Sequence, residues 1–95
     1  EYAADTVKTR QVLLAAVRSV DGLLQDPAPD VVLNELGASS VNWRVSGWCA
    51  PADWIIRKQA VTEAVKKHLD AAGINIPFPQ MDVRLYRSSS GESPN

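Results

Sequence analysis

Two residues of one predicted strand, Asn42 and Arg44, are of the right type and spacing to bind an anion. Residues two apart on a strand point to the same face, so the amide and the guanidinium would lie side by side. Such a pair can hold a phosphate or an acyl phosphate, as it does in small hydrolases of ferredoxin-like fold. No glycine-rich loop accompanies the pair. We therefore expect a solvated polar strand face and no catalytic residues.

The other reactive side chains stand alone. His68 is the single histidine and Cys49 the single cysteine, which excludes an internal disulfide and gives neither residue a partner for a metal site. We expect His68 on a polar helix face and Cys49 as a buried or turn thiol without a neighbouring base. The three acidic residues between positions 26 and 35 lack the alternating spacing of a calcium loop. The sequence therefore predicts no enzyme, no metal and no cofactor.

Three tryptophans, Trp43, Trp48 and Trp54, are of the type that stacks nucleobases on an open sheet. Such binding also needs a concentrated positive field, whereas ten Lys and Arg are balanced here by eleven Asp and Glu, for a net charge of -1. We therefore expect the tryptophans in the core or at subunit contacts, with no nucleic acid as partner. No run approaches the roughly 18 apolar residues of a membrane span.

Two amphipathic helices must position these residues. The first begins at a cap on Asp5 or Thr6 and ends by Gly22. Its apolar stripe comprises Val12, Leu13, Ala16, Val17 and Val20. The second begins at Pro51 and runs to Gly73. Its stripe comprises Trp54, Val61, Val65, Leu69 and Ala72, widened by Ile56, Ala60 and Ala64.

An antiparallel hairpin is predicted between the helices, from strand formers at 31–36, a turn at 37–40 and an alternating run at 41–48. The prolines at 27 and 29 form a stiff entry to it. Val41, Trp43 and Val45 share the buried face of the second strand. Gly47 marks either a bulge or a close backbone approach.

A third strand follows the second helix, after a stretch that cannot be helical, Pro77, Phe78, Pro79 and Gln80. Within the strand, Met81, Val83 and Leu85 point one way and Asp82, Arg84 and Tyr86 the other. One face is therefore apolar and has to be covered. The tail 88–95 holds no apolar residue to bury and is predicted to be disordered.

The predicted fold is α+β, a ferredoxin-like sandwich of two helices on one face of a small sheet. Residues 1–80 would form the α/β domain, 81–87 a separate C-terminal strand and 88–95 the tail. Glu1, Tyr2 and Ala3 are interpreted as the end of a first strand. The chain begins without Met, and we expect it to be part of a larger protein.

Three blocks resemble the cytoplasmic C-terminal domain of the small-conductance mechanosensitive channel (MscS) family. The hairpin at 33–42, LNELGASSVN, is similar to the hairpin of the family. The end of the second helix and the segment after it, LDAAGI at 69–74 and PFPQMDV at 77–83, resemble the closing segment of the family. The link LQDPAP at 24–29 is similar as well, and the resemblance runs from Tyr2 to Arg87.

The resemblance implies a non-enzymatic role in a homoheptameric channel of the bacterial inner membrane, which releases ions and small solutes on hypo-osmotic shock. The domain would form a hollow vestibule on the cytoplasmic side, with Asn42 and Arg44 lining the vestibule or its portals. The strand with Met81, Val83 and Leu85 would leave for an oligomeric β-barrel, with 77–80 as its hinge. The membrane would be reached only through a segment upstream, so this chain by itself is not expected to conduct.

A second hypothesis is a freestanding ferredoxin-like module that binds a small ligand or RNA. It predicts a soluble parent protein and an exposed aromatic platform on the sheet.

Overall fold

The computed structural model describes residues 2–36, 40–76 and 81–87. Two long helices and three strands follow one another along these segments. They are α1 (Tyr2–Arg18), β1 (Asp30–Leu36), β2 (Ser40–Cys49), a 3-10 turn (Pro51–Asp53), α2 (Trp54–Ala71) and β3 (Met81–Arg87). The predicted α+β class is confirmed.

The three strands form one mixed sheet in the order β1-β2-β3. β1 and β2 are the predicted antiparallel hairpin, in which Val31 lies opposite Val45. β2 and β3 are parallel, with Val45 opposite Val83, and α2 is the crossover between them. The helices pack against each other, α1 also against β1 and β2, and α2 against β3. The core lies between the helix pair and one face of the sheet.

α1 buries the predicted stripe, with Leu13, Ala16 and Val17 fully inaccessible to solvent. It ends where Ser19 Oγ donates to Ala16 O at 2.7 Å, and the chain then turns through Gly22 with φ of +91°. A positive φ is accessible to glycine because it has no Cβ. The predicted stop of α1 near Gly22 is therefore confirmed.

α2 follows the 3-10 turn that begins at Pro51, and buries Val61, Val65 and Leu69. The prediction that Ile56 widens this stripe is wrong, because Ile56 is 66% exposed. Five residues of helix separate it from Val61, which rotates it by about 140° away from the buried face.

β2 alternates as its sequence predicts, since Trp43, Val45 and Cys49 are buried in the core. Gly47 falls on the same face, and the pairing with β3 runs through it without a bulge. A Cβ at Gly47 would lie 3.4 Å from Leu23 Cδ1. Neither alternative for Gly47 is found, because the strand has no bulge here and the atoms nearest to such a Cβ are side-chain atoms at ordinary van der Waals distance.

The strand interpretation of the first residues is wrong for Tyr2 and Ala3, which belong to α1. The segment after Glu1 reads Tyr-Ala-Ala-Asp, and alanine is the best helix former. The helix thus begins earlier than predicted, and the proposed caps Asp5 and Thr6 lie inside it.

β3 differs from prediction in its position. Instead of leaving the domain it lies in the sheet, where Met81 and Leu85 are 8% and 7% exposed and contact the chain's own core face. β2 offers β3 a full row of backbone partners, and α2 covers its apolar side chains. The hinge Pro77, Phe78, Pro79 and Gln80, the turn 37–39 and the tail 88–95 lie outside the described residues and stay predictions.

Candidate functional site: the open face of the sheet

The face of the sheet turned away from the helices carries the candidate site. Its side chains are half-buried or exposed, and all three strands contribute to it. We call it the open face; it comprises Asp30, Val32, Asn34, Asn42, Arg44, Ser46, Trp48, Asp82, Arg84 and Tyr86. Both Asn42 and Arg44 lie on it, which is the strand face predicted for them.

Asp82 lies between two arginines at the centre of the open face. The pairing of β2 with β3 places it opposite Arg44, with 3.8 Å between Arg44 Nε and Asp82 Oδ2. Arg84, two residues along β3, donates from Nε to the same oxygen at 2.8 Å. This hydrogen bond is the main cause that raises the pKa of Arg84 above its ordinary value.

These contacts determine which anions the open face can accept. Asp82 already occupies the space between the guanidinium groups of Arg44 and Arg84, so an added phosphate would compete with a carboxylate. Asn42 lies two residues before Arg44 on β2, opposite Asn34. Asp82 and the two arginines beside it are partly exposed and together carry an excess of one positive charge, and this set fits a solvated polar surface.

An aromatic pair lies at the end of the open face. Trp48 of β2 and Tyr86 of β3 stand opposite each other in the sheet, with ring centroids 4.5 Å apart and ring planes at 29°. Offset stacking of this kind stabilises a cross-strand pair. The other sheet tryptophan, Trp43, is 5% exposed and belongs to the core as predicted.

Trp54, at the start of α2, has a third kind of environment. Its Nε1 donates to the backbone carbonyl of Leu85 in β3. Two cations lie over its ring, Lys58 Nζ at 5.3 Å from the centroid and Arg87 Cζ at 4.9 Å. The indole therefore joins the first turn of α2 to the end of β3.

The family described as "Mechanosensitive ion channel MscS, C-terminal" matches residues 1–76 of the chain. The chain belongs to the MscS family. Among its relatives, a small-conductance mechanosensitive channel of Edwardsiella ictaluri is 40% identical over 92% of the chain. An uncharacterized MscS family protein of Synechocystis is 38% identical over 96% of the chain, and one of Archaeoglobus fulgidus is 33% identical over 83%.

The chain spans about a third of the length of these MscS family relatives, namely 30% of the Edwardsiella protein, 31% of the Synechocystis protein and 28% of the Archaeoglobus protein. No solved structure matches it. Within the described parts of the chain, none of the helices has the length and apolarity that crossing a membrane requires. Residues 1–76 match the C-terminal domain of the MscS family.

The remaining reactive residues of this MscS domain are held inside their own elements. His68 Nδ1 lies 2.8 Å from Ala64 O of the same helix. Cys49 is fully buried, and this burial is the main cause that raises the pKa of its thiol. Among residues 2–36, 40–76 and 81–87, no cluster of His, Cys, Asp and Glu is suited to a metal ion.

Sequence reasoning placed Asp82, Arg84 and Tyr86 on one face of their strand but did not include them in a site. The missing information was the pairing of β3 with β2, which brings Asp82 to Arg44 and Tyr86 to Trp48. The available signal was the alternation of charged and apolar residues in both segments.

Proposed function

We propose that this domain forms part of the cytoplasmic vestibule of a homoheptameric mechanosensitive channel in the bacterial inner membrane. The channel would release ions and small solutes on hypo-osmotic shock. The family match over residues 1–76 carries this proposal, together with the 40% identity to a small-conductance mechanosensitive channel. The chain corresponds to less than a third of that relative, so we attribute conduction to the rest of the parent protein.

Assembly through residues 81–87 is the second part of the proposal. Met81, Val83 and Leu85 would form the apolar face of the barrel strand, with 77–80 as the hinge. To join a barrel, β3 would exchange its backbone partners on β2 for those of neighbouring copies, at little net cost in hydrogen bonds. A closed barrel would also leave no exposed strand edge, which supports this arrangement.

Asn42 and Arg44 would line the vestibule or its portals. Their position on the open face supports this role, since a permeating ion would meet the excess positive charge of Arg44, Asp82 and Arg84. In the full-length parent, Arg44→Glu should shift the reversal potential in a salt gradient towards cation preference. Arg10→Glu is the matched control, because Arg10 is paired with Asp30 at the edge of the sheet. Equal shifts in both variants would count against a lining role for Arg44.

The decisive experiment uses the full-length gene in a bacterial strain without mechanosensitive channels of its own. We expect survival of hypo-osmotic shock, and tension-activated currents in excised membrane patches. The present chain alone should rescue no cells and give no current in a planar bilayer. Full expression in the membrane without survival or tension-activated current would refute the channel proposal.

The Trp48–Tyr86 pair favours a second candidate function, binding of RNA or a small planar ligand on the open face. Trp48 fluorescence in the isolated chain, with Trp43 and Trp54 replaced by Phe, would report on it. Titration with single-stranded RNA should change this emission if the pair is a platform. No change at low salt would eliminate RNA as ligand.

A further inference from the structure

The backbone carbonyl of Leu85 points away from β2, although β3 is paired with β2. Leu24 N donates to Trp48 O at 2.7 Å, on the side of β2 where β1 lies. Successive residues of a strand direct their polar groups to alternate edges, so Gly47 directs its own towards β3. Gly47 is paired with Leu85, and its hydrogen-bond partners are therefore the residues on either side of Leu85. Leu85 itself directs its N–H and C=O groups to the outer edge of β3.

This outward carbonyl is bound by a side chain of α2. Trp54 Nε1 donates to Leu85 O, and we call this hydrogen bond the closing contact. Lys58 Nζ and Arg87 Cζ lie over the indole ring, at 5.3 and 4.9 Å from its centroid. Because cations are attracted to an aromatic face, Lys58 from α2 and Arg87 from β3 hold the indole in place. The closing contact thus joins β3 to α2 independently of the pairing with β2.

The closing contact is incompatible with a barrel strand. In a closed barrel each strand has a neighbour on both sides, so the polar groups directed to both of its edges are paired. Leu85 O would then accept from a backbone N–H of the neighbouring copy instead of from Trp54 Nε1. Barrel formation and the closing contact therefore compete for one carbonyl.

We propose that the closing contact keeps β3 in the sheet of an unassembled subunit, and that Trp54 has to release Leu85 O before β3 can join the barrel. This inference rests on the proposed assembly through residues 81–87 and adds its regulation. Met81 and Leu85 are 8% and 7% exposed, so a subunit that releases β3 alone uncovers both side chains. Several subunits that release β3 together cover these side chains again and pair every strand, which makes assembly cooperative.

Amide hydrogen exchange in the 95-residue chain tests the closing contact by itself. Trp54→Phe keeps an aromatic ring and removes the indole N–H. The β3 amides that are bonded to β2 should then exchange about threefold to tenfold faster. The amides of the buried residues of α1 should change less, because they report opening of the whole domain. Trp48→Phe is the matched control, since it keeps a ring stacked on Tyr86, and should leave exchange in β3 within about twofold.

The proposal is overturned if β3 of the folded Trp54→Phe chain exchanges no faster relative to α1 than β3 of the unmodified chain. If Trp54→Phe does not fold, Arg87→Ala decides, because Arg87 is exposed and its truncation removes one cation from the indole. We expect exchange in β3 to rise about twofold to fivefold in Arg87→Ala. Unchanged rates would refute the closing contact.

A disulfide between β2 and β3 tests whether closure prevents assembly. Ser46 and Arg84 stand opposite each other on the open face, at a spacing that suits a disulfide. Subunits of the full-length parent with Ser46→Cys, Arg84→Cys and Cys49→Ala are refolded in detergent under oxidising conditions. They should form the disulfide and stay monomeric, and a reductant should restore the heptamer. Arg84→Cys with Cys49→Ala alone is the control and should assemble under both conditions.

A heptamer with the disulfide intact would overturn the proposal, as would failure of the disulfide to form in unassembled subunits. Absence of a heptamer from the unmodified parent would refute the proposed assembly instead. In that case the exchange rates of β3 in the 95-residue chain still decide whether Trp54 holds the strand.

Discussion

Arg44 lies beside Asp82 across the parallel pairing of β2 and β3, with 3.8 Å between Nε and Oδ2. Arg84 is closer to the same oxygen, at 2.8 Å. Because these side chains are about one-third to one-half exposed, solvent screens each pair.

Replacing either arginine by alanine should therefore destabilise the isolated chain only slightly. A double-mutant cycle of Arg84→Ala with Asp82→Ala should give a larger coupling than the cycle of Arg44→Ala with Asp82→Ala, since only Arg84 makes the hydrogen bond. Urea unfolding measures both cycles. Equal couplings would show that the difference in distance has no energetic consequence.

The core between the helices and the sheet should respond strongly to lost volume. Leu13→Ala removes most of a side chain with no solvent exposure, and we expect a loss of about 3 kcal/mol in the free energy of unfolding. Ile56→Ala is the control, because Ile56 is 66% exposed and its truncation should change stability by less than about 0.5 kcal/mol. Thermal or urea unfolding compares the two. A similar cost for both would contradict the difference in burial between Leu13 and Ile56.

Alanine substitutions at Gly22 and Gly73 distinguish the cost of backbone strain from the cost of steric crowding. Both have a positive φ, +91° and +71°, so alanine at either position should cost about 1 kcal/mol in strain. A Cβ on Gly22 would also come within 2.3 Å of Arg57 Cζ, whereas nothing lies within 4 Å of one on Gly73. These atoms are the far end of a flexible side chain that can move aside, so Gly22→Ala should be only slightly more destabilising than Gly73→Ala. Arg57→Ala should remove this small excess in a double variant; an excess that persists would point to backbone strain alone.

Cys49 links stability to alkaline pH. Burial raises the pKa of its thiol above the ordinary value of 9.0, so the unfolded chain loses this proton at a lower pH than the folded chain. The contribution to stability is complete below pH 9.0 and is lost as pH rises through the folded-state pKa. The free energy of unfolding of the unmodified chain, measured with urea, should fall more steeply above pH 9.0 than that of the Cys49→Ala variant. Parallel pH profiles would contradict this linkage.

Thiol accessibility provides an independent measurement. Because Cys49 is fully buried, an aromatic disulfide reagent should react with it only through opening of the structure. The rate should rise with urea in proportion to the unfolded fraction. Rapid reaction without urea would show that the end of β2 opens locally.

Alternation and helical spacing were enough to predict the hairpin, the faces of β2 and, apart from Ile56, the stripes of both helices. Trp43 and Val45 lie inside and Arg44 outside because a strand has a period of two. The same rule showed that Met81 and Leu85 need cover, but not what covers them. In the single chain this cover comes from β2 and α2, which are distant in sequence, and the departure of β3 for an oligomeric barrel stays a prediction.

Short segments gave the other errors. Three residues at the start of the chain are too few to show helical or strand periodicity. Tyr2, a residue type common in strands, therefore belongs to a helix that its later turns stabilise. The sequence predicted only part of the open face. Arg44 could be proposed from β2 alone, whereas Asp82 became its neighbour through a register that no local pattern encodes.

β2 is enclosed along both edges, by β1 and the segment at Leu24 on one side and by β3 on the other. Its amide protons are therefore protected from exchange with solvent until the outer strands separate from it. β1 and β3 can open singly, at a free energy below that of complete unfolding, while β2 exchanges only when the whole domain unfolds. The slowest-exchanging amides of this chain should thus mark its middle strand.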